Sequence, residues 1–155
     1  MISYKISKLQ VSNFRNLQSD LIEFSPGINC ILGENGNGKT NILEAVYVLS
    51  TRKSFRKNAS FPQYLGIDGE QPEIIFSSVF NTDDDINVSY SAKLQNETSQ
   101  WYMDGQPVKR KPEIGIIFIN PFDSYAFHNT GSSRRTWVDQ HLGLLDKSYK
   151  TVLNK

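Results

Sequence analysis

The strongest constraint on this chain is the eight-residue pattern G-x-x-x-x-G-K-[ST] at residues 33–40. An apolar run at residues 28–32 precedes it and predicts a buried strand, while residues 42–49 carry apolar side chains at helical spacing. A glycine-rich loop between a strand and a helix is the context in which this pattern binds phosphate. The sequence therefore predicts a nucleoside triphosphate site formed by Gly33, Glu34, Asn35, Gly36, Asn37, Gly38, Lys39 and Thr40.

Each part of the pattern has a chemical role. The glycines let successive backbone N–H groups turn inward, and the following helix presents its positive end to the phosphates. Lys39 is expected to bridge the β- and γ-phosphates, and the Thr40 hydroxyl is expected to coordinate Mg²⁺. The predicted ligand is thus a nucleoside triphosphate together with Mg²⁺.

Composition excludes several classes of protein. The 155 residues match the length of one domain, and no apolar run approaches the ~20 residues that span a bilayer. The N-terminus lacks the apolar stretch of a signal peptide, so we expect a cytoplasmic protein without a membrane partner. The single cysteine, Cys30, lies in the apolar run and is expected to be buried. Because the net charge is only +1, binding to nucleic acid would depend on local basic patches.

Three strand-like runs predict an antiparallel β-meander in the middle of the chain: the first is apolar on both faces, the second alternates cleanly with polar residues, and the third is short. Its strands are expected at residues 74–80, 86–94 and 100–103, and the last of them ends at a hairpin turn formed by Asp104 and Gly105.

Three further elements are expected outside the meander. Residues 2–11 have strand character, and a change of parity predicts a bulge near residues 7–8. Residues 114–119 form a second apolar run that predicts another buried strand. A helix is expected to follow, capped by Ser132 or Ser133.

A hydrolytic site of this class also needs a carboxylate after a second buried strand, to hold Mg²⁺ and to position the attacking water. The run at residues 114–119 ends in Asn120, and Asp123 follows shortly after. Asp123 is the candidate catalytic carboxylate, and either Asn120 or Asp123 is a candidate Mg²⁺ ligand. The alternative is a loop aspartate that caps backbone N–H groups. The hydrolytic half of the site is therefore not evident.

Several segments together resemble a known family. They are residues 13–16 (Asn-Phe-Arg-Asn), 24–29, 33–45, 51–56, 118–123 and 131–139. In this order they resemble the RecF family, the bacterial recombination-mediator ATPases of the SMC-like, ABC-type class. The resemblance covers nearly the whole chain, and members of the family are considerably longer.

The resemblance implies an α/β fold, namely a P-loop NTPase of ABC type with ATP and Mg²⁺ as ligands. Residues 1–122 are then expected to form the N-terminal part of the ATP-binding lobe, with an antiparallel β-subdomain at about 74–104. Residues 123–155 would begin a helical second lobe and stop inside it. Arg15 and Asn16 are implied nucleotide contacts, and the alternative for Arg15 is a local ion pair.

The resemblance also implies partners for a full-length parent. Such a parent would bind gaps between single- and double-stranded DNA as an ATP-dependent homodimer and load recombinase together with recombination-mediator partners. The best basic cluster for DNA phosphates is Arg52, Lys53, Arg56 and Lys57, and the alternative is an ordinary solvated surface.

Two other functions stay open. One is the nucleotide-binding lobe of another SMC-like ATPase, such as the overcoming-lysogenization-defect nuclease class, and residues 131–139 favour RecF over it. The other is a small P-loop phosphoryl-transfer kinase, which the long antiparallel section disfavours. The chain itself is expected to bind ATP with little or no hydrolysis, because groups that would stabilise charge around the γ-phosphate are not evident.

Overall fold

The computed structural model describes residues 4–56, 64, 66, 73–96, 98–110 and 114–153. The chain divides into two compact units, Met1–Ile114 and Gly115–Lys155. The expected lobe boundary at residue 122 stays a prediction. In chain order the described strands are β1 Tyr4–Ser12, β2 Leu21–Glu23, β3 Glu73–Thr82, β4 Asn87–Gln95, β5 Thr98–Met103 and β6 Gln106–Pro107. The described helices are α1 Lys39–Thr51, α2 Asp123–His128, α3 Gly131–Leu145 and α4 Lys147–Leu153.

The strands of the first unit form one sheet in the order β2-β1-β3-β4-β5-β6, and each neighbouring pair is antiparallel. The predicted meander is therefore confirmed. The predicted bulge in β1 is confirmed as well, because the register against β3 shifts between Ile6 and Lys8. Asp104 (φ 48°) and Gly105 (φ 75°) both adopt positive φ, as the tight hairpin turn between β5 and β6 requires.

One face of the sheet carries the core of the unit. Along β3, every second side chain is buried, and the apolar ones among them belong to one hydrophobic cluster with the α1 residues Ala45, Val48 and Leu49. Burial of each large apolar side chain stabilises the fold by about 1.5–3 kcal/mol. The buried hydroxyl of Ser78 donates to the Tyr90 carbonyl at 2.6 Å, so it is satisfied. The sheet thus fixes α1, the helix that starts at the glycine-rich loop.

The two predicted buried strands at residues 28–32 and 114–119 are wrong. Neither segment is a strand, and Ile28 is 93% exposed while Ile119 is 68% exposed. Cys30 is exposed rather than buried. An apolar run becomes a buried strand only when a neighbouring strand pairs with its backbone groups, and none of the described strands does so. The apolar pattern carries no information about that neighbour.

The second unit is helical. Helix α3 begins after Thr130, whose side-chain oxygen accepts from the Ser133 N–H at 3.3 Å. The prediction that Ser132 or Ser133 caps this helix is therefore wrong, since threonine two or three residues earlier occupies the cap position. Trp137 on α3 packs against Phe127 on α2, with ring centroids 4.9 Å apart.

Arg52 joins the end of α1 to the meander. It occupies the C-cap position with φ 60°, and its Nε donates to the Tyr90 hydroxyl at 3.2 Å. Its Nη1 and Nη2 donate to the carbonyls of Lys109 at 2.8 Å and Arg110 at 2.9 Å. The guanidinium also lies 4.7 Å from the centre of the Trp101 ring. Burial raises the pKa of the Tyr90 hydroxyl and so favours its neutral form.

We expect Arg52→Ala to lower the free energy of unfolding by about 2 kcal/mol, because it removes several charge-assisted hydrogen bonds at once. The measurement is urea unfolding of the 155-residue chain. Arg52→Lys is the matched control: it keeps the charge and the same backbone strain but lacks the planar fork of donors. It should recover less than half of the loss. Full recovery by lysine would show that charge alone matters at this position.

Candidate nucleotide-binding site

The glycine-rich loop has a backbone shape that only glycine adopts readily. Gly36 has φ 94° and Gly38 has φ 80°. At Gly38 a Cβ atom would lie 2.9 Å from Leu17 Cδ2 and 3.0 Å from Asn16 Oδ1. The left-handed conformation therefore favours glycine at the second glycine of the pattern, and any side chain there would displace the side-chain ends of residues 16 and 17.

Helix α1 begins immediately after this loop. Gly38 is its N-cap and supplies no side-chain hydrogen bond, while its carbonyl accepts from the Asn41 N–H at 2.8 Å. The N–H groups of Lys39 and Thr40, at the very start of the helix, are therefore the ones suited to an anion. Beside them lies a cavity of about 250 Å³. That volume is below the ~300–1,000 Å³ of pockets that hold whole ligands, and it suits the phosphate part of a nucleotide. The lining residues are Asn35, Gly36, Gly38, Lys39, Thr40, Asn41 and Arg56.

The Lys39 ammonium group closes the loop on itself. Its Nζ donates to the carbonyls of Gly33 and Glu34, at 2.7 Å in both cases. The loop also contains a turn in which the Asn37 N–H donates to the Glu34 carbonyl at 3.3 Å. A phosphate oxygen offers the ammonium group a charged acceptor in place of a neutral carbonyl, which strengthens the hydrogen bond. Nucleotide contact by the loop residues stays a prediction, and the geometry fits it.

Asn16 lies against the glycine-rich loop. Its Nδ2 donates to the Gly36 carbonyl at 2.5 Å, and its Oδ1 accepts from Asn41 Nδ2 at 2.6 Å. Asn41 belongs to the first turn of α1. Asn16 therefore connects the glycine-rich loop to the first turn of α1. A direct contact between Asn16 and nucleotide stays a prediction.

Arg15 forms a local ion pair, which was the alternative to a nucleotide contact in the sequence analysis. Its Nη2 lies 2.9 Å from Glu44 Oε1, and its Nε lies 3.1 Å from Oε2. The guanidinium also lies 5.4 Å from the ring centre of Tyr64. Burial, and after it the charge of Glu44, raises the pKa of the Tyr64 hydroxyl, which keeps the phenol neutral. A nucleotide contact by Arg15 stays a prediction and is a second role beside this pair.

The sequence analysis missed one functional candidate and the location of another. Glu44, which is fully buried, was not singled out, and Arg56, which was grouped with the DNA-binding cluster, lines the phosphate cavity. A signal for Glu44 was available: one turn of helix separates it from Val48, so it lies on the stripe that faces the core. Arg56 follows α1 after an irregular segment, and no periodicity indicates where its side chain lies.

The remaining members of the predicted DNA-binding cluster differ in their surroundings. The side chain of Arg52 bonds the Tyr90 hydroxyl and the carbonyls of Lys109 and Arg110, and a DNA contact by Arg52 stays a prediction. Lys53 is exposed and suits a phosphate contact. Lys57 lies outside the described residues.

Asn120 and Asp123 form a local capping arrangement in the second unit. Asp123 Oδ2 accepts from the Asn120 N–H at 2.7 Å, and Asn120 Oδ1 accepts from the Phe122 N–H at 2.8 Å. Asp123 is also the first residue of α2. This is the alternative arrangement named for Asp123, and the catalytic and Mg²⁺ roles of these two residues stay predictions.

The described part of the chain contains no group of three or more His, Cys, Asp or Glu side chains placed to hold a metal ion. Coordination of Mg²⁺ by the Thr40 hydroxyl stays a prediction. Among the described helices, none has both the length and the apolar character needed to cross a membrane.

Comparisons with known proteins agree with this geometry. A family model described as an AAA ATPase domain matches residues 5–150. The DNA replication and repair protein RecF of Lachnoclostridium phytofermentans is 36% identical over 149 residues, which are 93% of this chain and 40% of the relative. The protein of the same name from Francisella tularensis subsp. mediasiatica is 35% identical over 153 residues, or 95% of this chain and 42% of the relative. The chain therefore spans about two fifths of the length of these relatives.

Two solved structures match the fold. The recombination mediator protein RecF-ATP in the RecFOR pathway matches with TM-score 0.73 and 27% identity, over 99% of this chain and 43% of that one. The RecF-ATPrS structure of the same pathway matches with TM-score 0.76 and 28% identity, over 97% and 41%. They confirm the predicted fold class, an ABC-type P-loop ATPase. The chain belongs to the AAA ATPase domain family, and within that family it is a RecF-like sequence.

Proposed function

We propose that this chain is the ATP-binding part of a RecF-like DNA replication and repair ATPase of the cytoplasm. The observation that carries the proposal is the cavity at the start of α1. There, an uncapped helix N-terminus, Lys39 and Arg56 all present positive charge to one space that is large enough for phosphates. Backbone N–H groups, an ammonium and a guanidinium together are the donors that bind polyphosphate.

The relatives support ATP as the nucleotide. A solved structure that covers nearly all of this chain is described as RecF-ATP. Mg²⁺ belongs to the proposal through the hydroxyl of Thr40, which lines the cavity. The similarity to RecF over more than nine tenths of the chain also supports this function over a nuclease-class ATPase or a small kinase.

The functions of a whole RecF-like protein enter the proposal as well. We infer that a longer protein carrying this chain binds gapped DNA, dimerises when ATP is bound and acts with recombination mediators. Lys53 is the described member of the predicted DNA cluster whose exposure suits contact with DNA phosphate. Hydrolysis is inferred for the longer protein only.

Calorimetric titration of Mg-ATP into the chain tests the proposal. The wild-type chain should bind, and Lys39→Ala should bind about 100-fold more weakly, since the loss of a charge-assisted contact to two phosphates costs about 3 kcal/mol. The matched control is Lys5→Ala: Lys5 lies 3.9 Å from Asp83 in an exposed ion pair on β1. Lys5→Ala should bind like wild type. A folded wild-type chain that binds no Mg-ATP would contradict the proposed function.

We expect ATP turnover by the chain alone to stay near the rate of the buffer. The described residues of the first unit offer Lys39 and Arg56 at the cavity but no carboxylate lining it to position the attacking water. Release of phosphate from ATP measures this rate, and Lys39→Ala is the control for contaminating ATPases. Turnover that is strong in wild type and lost in Lys39→Ala would contradict the expectation.

A further inference from the structure

The carboxylate of Glu44 is the most heavily used acceptor near the phosphate cavity. It has no exposed surface, and it accepts from Arg15 through both Nη2 and Nε. Arg56 Nε lies 3.2 Å from its Oε2, and Ser54 Oγ donates to its Oε1 at 2.6 Å. Four donors therefore meet a group that offers about four lone-pair sites. The position of Glu44 is thus fixed from all sides.

Two arginines share the carboxylate of Glu44, and they pair with it to different extents. The Arg15 side chain is 18% exposed and pairs with the carboxylate through two atoms, whereas the Arg56 side chain is 37% exposed and pairs through one. Arg56 also lines the phosphate cavity, and Arg15 does not appear in its lining. Of the two guanidinium groups, that of Arg56 is therefore the more exposed one and the one on the side of the cavity.

A second chain of hydrogen bonds links Arg56 to the glycine-rich loop. Arg56 Nη2 donates to Asn41 Oδ1 at 2.6 Å, and Asn41 Nδ2 donates to Asn16 Oδ1 at 2.6 Å. Asn16 in turn donates to the Gly36 carbonyl at 2.5 Å. Glu44 thereby fixes the guanidinium group through one nitrogen, while another nitrogen is tied to the loop that receives the phosphates. An arginine held in this way loses little side-chain entropy when it binds an anion.

We propose that Glu44 is a positioning residue for polyphosphate: it holds Arg56 at the cavity, and Arg56 contacts the phosphates of the bound nucleotide. This inference rests on the proposed function and adds two residues to that site. A purely structural Glu44 would matter for stability, and Arg56 would then be dispensable for binding. In a positioning role, Glu44 and Arg56 act on the ligand as one unit.

Calorimetry on four proteins separates these roles: wild type, Glu44→Gln, Arg56→Ala and the double variant. The probes are Mg-ATP and inorganic tripolyphosphate with Mg²⁺. Each single variant should weaken Mg-ATP binding about tenfold, as the loss of one charge-assisted contact predicts. The double variant should also be about tenfold weaker rather than a hundredfold, because residues that act as one unit are not additive. Tripolyphosphate should show the same ratios, since the cavity receives phosphates.

The outcomes divide clearly. Wild-type affinity in a folded Arg56→Ala protein overturns the inference, whatever the Glu44 variant does, while loss of binding in Lys39→Ala still supports the proposed function. Additive losses in the double variant also overturn it, because they make Glu44 and Arg56 independent. A loss for Mg-ATP without one for tripolyphosphate overturns it too, since the effect would then concern the nucleoside. Failure of wild type to bind either probe overturns the proposed function and the inference together.

If Glu44→Gln does not fold, as judged by circular dichroism and thermal unfolding, Arg56→Ala still decides the matter. Arg56→Lys then supplies the second comparison. Lysine keeps the charge at the cavity. Because it lacks the planar guanidinium group of arginine, it cannot bond Glu44, Asn41 and a phosphate at the same time. An affinity for Mg-ATP between those of wild type and Arg56→Ala supports the inference that Glu44 positions the planar guanidinium group. An affinity equal to that of wild type overturns this inference.

Discussion

Replacing Arg15 with alanine is expected to lower the free energy of unfolding by about 3 kcal/mol, because removal of one partner from a buried ion pair leaves a buried charge without compensation. Glu44 has no exposed surface, and Arg15 supplies two of its hydrogen bonds. Arg56 and Ser54 still bond the carboxylate in the variant, which holds the loss at the lower end of the range for buried pairs.

Urea unfolding of wild type and Arg15→Ala measures the effect. Lys8→Ala is the matched control, because Lys8 pairs with Glu23 at 3.0 Å while the two side chains are 49% and 66% exposed. An exposed pair of this kind contributes about 0–1 kcal/mol. Equal losses in the two variants would contradict the claim that burial makes the Arg15 pair important.

The same variant decides between the two readings of Arg15. If Arg15 only pairs with Glu44, the folded fraction of Arg15→Ala should bind Mg-ATP nearly as wild type does, apart from the disturbance of Glu44. If Arg15 also contacts the nucleotide, its loss should exceed the loss in Glu44→Gln. The affinities of the two variants for Mg-ATP are compared at low temperature and low urea, after circular dichroism has verified that both are folded.

Local patterns were sufficient for much of this fold. The glycine-rich loop follows from residues 33–40, because the loop depends on glycines at fixed offsets and on the helix directly after them. The meander follows from three successive strand-like runs, of which the one at residues 86–94 alternates cleanly, and Asp104 with Gly105 marks its last turn. The bulge in β1 follows from alternation as well, since a change of parity moves side chains to the other face.

Features that depend on distant partners were not predictable in this way. The apolar run at residues 28–32 has the composition of a buried strand, but its burial depends on a neighbouring strand elsewhere. Helical spacing places Glu44 on the core side of α1, but only the positions of Arg15 and Arg56 explain how a carboxylate is satisfied there. Arg56 was assigned to a DNA-binding cluster, because charge clusters in a sequence do not indicate which members pair.

The site also depends on aromatic packing behind it. Phe14 and Phe76 are fully buried, with ring centroids 5.1 Å apart and an angle of 60° between the rings. Phe14 directly precedes Arg15 and Asn16, and Phe76 lies in the middle of β3, within the hydrophobic cluster that includes α1. Through this contact, the core of the sheet fixes the segment that braces the phosphate loop.

We therefore expect Phe76→Ala to lower the free energy of unfolding by about 4 kcal/mol, since truncation of a buried phenylalanine costs 3–5 kcal/mol in lost burial and cavity formation. Ile75→Ala is the matched control on the same strand: Ile75 points to the opposite face and is 41% exposed. It should lose less than about 1 kcal/mol, because a side chain that stays partly in water gains less from burial. Urea unfolding measures both variants.

The Phe76 variant should also weaken Mg-ATP binding, although Phe76 does not line the cavity. A cavity beside Phe14 frees residues 13–17 to shift, and a shift at Asn16 breaks its 2.5 Å bond to the Gly36 carbonyl. The expected weakening is severalfold in the folded protein, because one neutral hydrogen bond contributes about 1 kcal/mol. Ile75→Ala should bind like wild type. Unchanged affinity in Phe76→Ala would mean that the loop holds its shape without the aromatic support, and that Asn16 is positioned by Asn41 alone.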